Sequence, residues 1–137
     1  MKVFVDTWGW LAMANRAEKE HQKIAEYVKN FTGTLYTTDY VLSETVTMLF
    51  KREYFEKGRD FVEKIFETAE IGNLEIIYSG KDTFLNAWNS RLKFKDKPNI
   101  SFVDIVSFVV MKKFMIRRVI TEDNHFEQVG MGFELVK

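Results

Sequence analysis

The stretch S101-F-V-D-I-V-S-F-V-V-M111 decides how the rest of the chain is read. It is almost wholly Phe, Val and Ile, with β-propensity that favours a strand. Its polar residues, Ser101, Asp104 and Ser107, recur every three positions. On a strand they would alternate between faces, whereas on a helix they form one narrow polar stripe. The run also continues to Phe114 without a break, which is long for a strand. The spacing therefore predicts a buried helix. It also raises a question, because an ionised carboxylate in an apolar run is costly to bury uncompensated. One answer is local: Ser101-x-x-Asp104 has the form of a capping box. The other answer depends on the surrounding elements.

Working outward, the segments 2–6, 34–38, 74–78, 117–121 and 133–136 read as strands. Between them, helical spacing predicts helices to about Ala14, over Ala17 to Phe31, from an Asp39 N-cap to about Arg52, over 55–71 and from an Asp82 cap to Phe94. Strands alternating with helices predict an α/β domain. The expected architecture is a three-layer α/β/α sandwich on a mainly parallel sheet of about five strands, with residues 1–137 forming one domain. A chain of 137 residues with 46% hydrophobic and 29% charged residues fits that size and class. Its zero formal net charge requires a local basic patch for any nucleic acid. The absence of cysteine excludes disulfide scaffolds, thiol nucleophiles and Cys-based zinc sites. No apolar run approaches the roughly 18 residues of a membrane span, so a soluble, cytoplasmic protein with no membrane partner is the expectation.

In a parallel sheet, ligands sit beyond the carboxyl ends of the strands. A helix feeding a parallel fourth strand places its N-terminus, and so Asp104, at that edge. Asp6 ends the first strand there. Glu44 lies about one turn into the helix after the second strand. Asp123 follows the fourth strand in V119-I-T-E-D-N-H-F126. Each has a local alternative. Asp6 can be an N-cap, Glu44 a solvated helix acid, Asp123 a turn residue with Glu122 the functional acid instead. Their coincidence at one edge is the argument for a site. Two like charges at ~4 Å and an effective dielectric near 20 repel by roughly 4 kcal/mol. A hard divalent cation, Mg²⁺ or Mn²⁺, relieves that repulsion through carboxylate oxygens. Metal-assisted phosphodiester hydrolysis is the matching chemistry, and it needs no Ser, Cys or His nucleophile.

D6-T-W-G-W10, T37-T-D-Y-V-L-S-E-T45, the opening stretch, and T121-E-D-N-H-F126 with V129-G-M-G-F-E-L-V136 occur in an order that resembles the PIN-domain ribonucleases, in particular the VapC-type toxins of toxin–antitoxin pairs. The resemblance covers nearly the whole chain. It implies a Mg²⁺- or Mn²⁺-dependent endoribonuclease whose acidic quartet is Asp6, Glu44, Asp104 and Asp123. It further implies Thr121 as a hydroxyl that supports the metal site, with Thr7 and Ser101 beside it, and a structural His125-Phe126 pair. A homodimer and a cognate antitoxin are the implied protein partners. The sequence departs from the family in K112-K-F-M-I-R-R118, where a helix-stopping Gly is common, and in its Gly-Met-Gly turn.

Asp-x-Asp after the first strand is absent, which excludes a dehalogenase-type phosphatase, and there is no Walker-type loop. A catalytically weak PIN domain acting as an interaction module is the alternative from another class. R91-L-K-F-K-D-K-P98 interleaves Arg91, Lys93, Lys95 and Lys97 with Phe94, which suits single-stranded RNA; a solvated loop is the other reading. The aromatic helices around Tyr54, Phe55, Phe61 and Phe66 serve either core packing or a partner surface.

Overall fold

The computed structural model describes residues 1–136; Lys137, the last residue of the expected domain, lies outside the described residues. Five strands, β1 (Lys2–Val5), β2 (Thr34–Thr38), β3 (Leu74–Ile77), β4 (Arg118–Ile120) and β5 (Glu134–Val136), form one sheet in the order β3-β2-β1-β4-β5, with every pair parallel. Among the described residues seven helices alternate with them: α1 (Thr7–Ala14), α2 (His21–Asn30), α3 (Asp39–Arg52), α4 (Phe55–Glu70), α5 (Lys81–Lys93), α6 (Phe102–Lys113) and α7 (His125–Gln128).

The strand order reverses direction at the middle. From β1 the chain winds outward through β2 to β3, then returns across the sheet to β4 and β5. Right-handed crossovers place α1 to α4 on one face and α5 to α7 on the other, giving the three-layer α/β/α sandwich. The switch point lies between β1 and β4, where Val5 is in register with Ile120. The next residues in the two strands' sequences are Asp6 and Thr121.

Burial explains the apolar runs. Val3, Phe4 and Val5 of β1 are fully buried because helices cover both faces of the central strand. The stretch 101–111 is helix, as its polar stripe predicts, and Ile105, Val106, Val110 and Met111 are buried along it. Phe108 of α6 meets Phe126 of α7 edge-on at 4.8 Å and stacks on Phe133 at 5.8 Å. These rings fix the segment after β4 against α6. On the other face, a Cβ at Gly9 of α1 would approach Ile120 Cγ2 and Val5 Cγ1 to 2.9 Å. The glycine lets α1 lie close against the strands that end at the switch point.

Several boundaries differ from expectation. The second helix starts at His21 rather than Ala17, because Asn15 Oδ1 accepts the Ala17 N–H (3.0 Å) and holds a turn there. Thr38, not Asp39, caps α3: its Oγ1 accepts from Val41 N at 3.1 Å. Asp39 Oδ1 instead accepts from Tyr40 N and Ser79 N, tying the end of β2 to the end of β3. Gly80 holds the N-cap position of α5, with Asp82 in its first turn. The short α7 was not expected. At the end of α6, Met115 takes the left-handed conformation, φ 56°, which favours glycine. Ile116 N donates to Met111 O at 2.8 Å and closes the helix despite the side chain.

Candidate active site

Asp6 extends the β1–β4 ladder by one bond, with its N–H donating to Ile120 O at 3.2 Å. It occupies the N-cap position of α1, yet its side chain makes no capping bond. Its Oδ2 accepts instead from Thr121 Oγ1 at 2.9 Å. Thr121 Oγ1 accepts in turn from Asp123 N at 3.0 Å, and Asp123 Oδ1 accepts from His125 N at 2.9 Å. One hydroxyl therefore links the acid after β1 to the turn after β4.

Asp104 reaches the same place from α6. Ser101 is the N-cap, and its Oγ accepts the Asp104 N–H at 3.1 Å. The capping duty falls to the serine. The Asp104 carboxyl is directed into the cluster, beside the Asp123 carboxyl. Ligand atoms of Asp104, Asp123 and His125 all lie within 4.8 Å of one another. Glu44 lines the same cleft from α3 and remains exposed, and its charge acts on both Asp6 and Asp104. Glu122 is also exposed on the cleft wall, but Asp123 is the acid that joins Asp104. The cleft has a volume of about 760 Å³.

The electrostatics follow from this packing. Burial pushes Asp6 up to about 6, with Asp123 and Glu44 adding to the rise and hydrogen bonds from Thr7 N–H and Thr121 opposing it. Burial raises Asp104 to about 8, reinforced by the Asp6 charge and by Asp123 and Glu44. Near neutral pH this favours a protonated Asp104, which removes one of the like charges from the cluster.

The donor set suits a hard divalent cation: carboxylate oxygens converge from β1, α6 and the turn after β4. Two buried polar atoms beside them are unsatisfied. Thr7 Oγ1 has no hydrogen-bond partner, and Thr7 is only 6% exposed. His125 Nδ1 lies 3.1 Å from Asp123 Oδ1 and 3.8 Å from Asp104 Oδ2 without an aligned hydrogen bond. A native structure rarely leaves such atoms orphaned without a reason such as an ion or water. The residues therefore fit a metal.

Sequence reading treated His125 as structural along with Phe126. Phe126 is fully buried, but His125 stands among the acids. Its position two residues beyond Asp123 was the available signal. Arg52, Asn99 and Gln128 also line the cleft and were not foreseen.

The basic segment 91–98 is divided. Arg91 donates to the carbonyls of Ile100 (3.0 Å) and Lys97 (2.9 Å), and also to that of Phe94. Its guanidinium folds the loop before α6. Lys97 pairs with Asp96 at 3.0 Å, while Lys93 and Lys95 are exposed. None of the four lines the acidic cleft.

A doubly wound parallel sheet with acids gathered at its switch point defines the class, and the chain belongs to the PIN-domain family, whose model matches residues 3–131. The chain is similar to the 23S rRNA-specific endonuclease VapC20 of Mycobacterium tuberculosis, at 27% identity over 128 residues, 93% of this chain and 94% of that protein. The crystal structure of VapC20, described as a sarcin-ricin loop cleaving toxin, superposes with a TM-score of 0.81 at 26% identity, covering 93% of this chain and 95% of that one. VapBC2 from Rickettsia felis, crystallised with a promoter DNA fragment, matches with a TM-score of 0.70 over 99% of this chain and 98% of its own, and at 17% identity it shows the fold alone.

Proposed function

We propose that the chain is a divalent-metal-dependent endoribonuclease and the toxin of a toxin–antitoxin pair, with residues 1–137 acting as one nuclease domain. The observation that carries this is the meeting of Asp6, Asp104 and Asp123, from three separate segments, with Glu44 at the mouth of the same cleft. RNA is supported as substrate by the VapC20 relative, an rRNA endonuclease.

Asp6, Asp104 and Asp123 would hold Mg²⁺ or Mn²⁺ through carboxylate oxygens, and Glu44 completes the acidic ring from the open side. When bound, the metal supplies a water of lowered pKa and stabilises charge on the phosphate oxygens. The protein's own residues set the geometry. Thr121 Oγ1 orients Asp6 Oδ2 and, through Asp123 N, the turn that carries Asp123. Ser101 fixes the first turn of α6, so Asp104 enters the cluster from a rigid helix. Asp6 and Asp104 must release their protons for the metal to bind, so metal affinity rises with pH. Lys93, Lys95 and Lys97 are proposed as contacts to outlying RNA. The proposed protein partners are a second copy of the chain and an antitoxin, the latter in keeping with the description of the VapC20 relative as a toxin.

The test is cleavage of RNA by the wild type and by Asp104→Asn, with Mg²⁺ or Mn²⁺ and then with EDTA. Metal-dependent cleavage by the wild type and its loss in the variant are expected. Cleavage in EDTA, or undiminished cleavage by the variant, would overturn the mechanism. No cleavage under any condition would leave the protein as an interaction module.

A further inference from the structure

The cleft contains six acidic residues, Asp6, Glu18, Glu44, Asp104, Glu122 and Asp123, and one Lys or Arg, Arg52. With so many carboxylates nearby, an arginine would be expected to be paired. Yet among the described residues its guanidinium makes no hydrogen bond and no ion pair. The acid next to it in sequence, Glu53, is occupied by Lys57 at 3.2 Å. Arg52 is also placed in line with the acids. Glu44, Met48 and Arg52 are spaced four residues apart on α3 and all line the cleft. A spacing of four keeps side chains on one helix face, and eight residues span about 12 Å along the axis.

An RNA strand entering this cleft has a specific electrostatic difficulty. A metal offsets the acids only where it binds, at the Asp6–Asp104–Asp123 end. The phosphates on either side of the cut would still meet Glu18, Glu44 and Glu122 on the cleft wall. Resting on the proposed nuclease reading, we infer that Arg52 binds a backbone phosphate flanking the scissile one and so positions the strand across the acids. A planar guanidinium suits this task, because it grips phosphate oxygens in a bidentate fork and stays charged at every relevant pH. About 12 Å of helix separates it from Glu44, so it acts on a neighbouring phosphate and not on the reacting one.

The experiment compares wild type, Arg52→Ala, Arg52→Glu and Arg52→Lys. Binding of a short labelled unstructured RNA is followed by anisotropy across a salt series, each variant being made in an Asp104→Asn background so that nothing is cut. Arg52→Glu is expected to raise Kd about ten- to hundredfold, as for loss of a charge-assisted hydrogen bond. Arg52→Ala should flatten the slope of log K against log salt by about 0.7, the value for one single-strand phosphate. Arg52→Lys should keep that slope while losing part of the affinity. With Asp104 restored, the cleavage defect should fall on KM and should shrink when the RNA is replaced by a dinucleotide too short to reach Arg52. A purely structural arginine at the end of α3 would lower Tm and impair both substrates alike. Wild-type affinity and salt slope in Arg52→Ala and Arg52→Glu, or an equal defect on the dinucleotide, would overturn the inference. Failure of the wild type to cleave with Mg²⁺ or Mn²⁺ would instead overturn the nuclease reading, and the anisotropy series would still decide the role of Arg52.

Discussion

Two charged regions flank the N-terminus of α6, and they are built on opposite principles. In the loop before it, the Arg91 guanidinium donates to three backbone carbonyls, and its charge is absorbed into structure. In the cleft beyond it, Asp104 is buried beside Asp6 and Asp123, and its pKa is driven up to about 8. The loop stabilises the fold and has no unmet demand. The cluster strains the fold and leaves Thr7 Oγ1 and His125 Nδ1 unsatisfied. The difference shows where to look for chemistry: at the charges the fold holds without satisfying them.

The sharpest way to break this contrast is to neutralise one charge on each side. Asp104→Asn is expected to reduce metal-dependent cleavage by at least about a hundredfold, since the proposed metal site loses one of its carboxylates. Retained activity would place the chemistry elsewhere. Arg91→Ala is expected to cost about 2–3 kcal/mol of stability in urea unfolding, because it leaves three part-buried carbonyls without donors. A change below about 0.5 kcal/mol, the usual range for a surface substitution, would show that Arg91 is not a structural staple.

The pH dependence separates the two regions further. Asp104 has a folded-state pKa of about 8, above its ordinary 3.8. Between those values the folded state binds more protons than the unfolded state, so stability falls as pH rises. Asp6 adds to this decline up to about 6. In EDTA the wild type should therefore lose Tm from pH 5 to 9, and Asp104→Asn should flatten the loss. A wild-type Tm that is level or rising over that range would contradict the raised acids. Saturating Mn²⁺ should reverse the trend, because metal binding favours the deprotonated carboxylates.

Two smaller effects refine the picture. Thr121→Val removes the hydroxyl between Asp6 and Asp123, and a fall of about tenfold in cleavage is expected from the loosened acids. A loss no greater than twofold would make Thr121 a packing residue only. Away from the site, Met115→Gly should stabilise the protein by up to about 1 kcal/mol by relieving a left-handed side-chain residue. Destabilisation there would mean that the exposed methionine makes a contact worth more than its strain.

Much of this was legible from residues alone. The helix at 101–111 was readable because a polar residue every third position has no counterpart on a strand. The order of elements was readable because alternating apolar strands and amphipathic helices have few parallel-sheet solutions. The four acids were readable as candidates because each lies at or close to the end of an element that reaches the carboxyl edge. What escaped was set by side chains competing for the same backbone groups. Thr38 displaced Asp39 as a cap, Asn15 delayed a helix, and Arg91 took hydrogen bonds to the carbonyls of its own loop. His125 escaped because a histidine beside a core phenylalanine gives no sign in sequence of which way its ring turns.

The sequence by itself determined the sheet, the buried α6 and the edge at which the acids fall, because periodicity and chain direction depend only on local order. Tertiary structure alone decided which acids are buried beside one another, which hydroxyl links them, and which cations are spent on the fold. Those outcomes depend on distance and burial between residues more than a hundred positions apart, as in the Thr121–Asp6 bond, and local order carries no record of them.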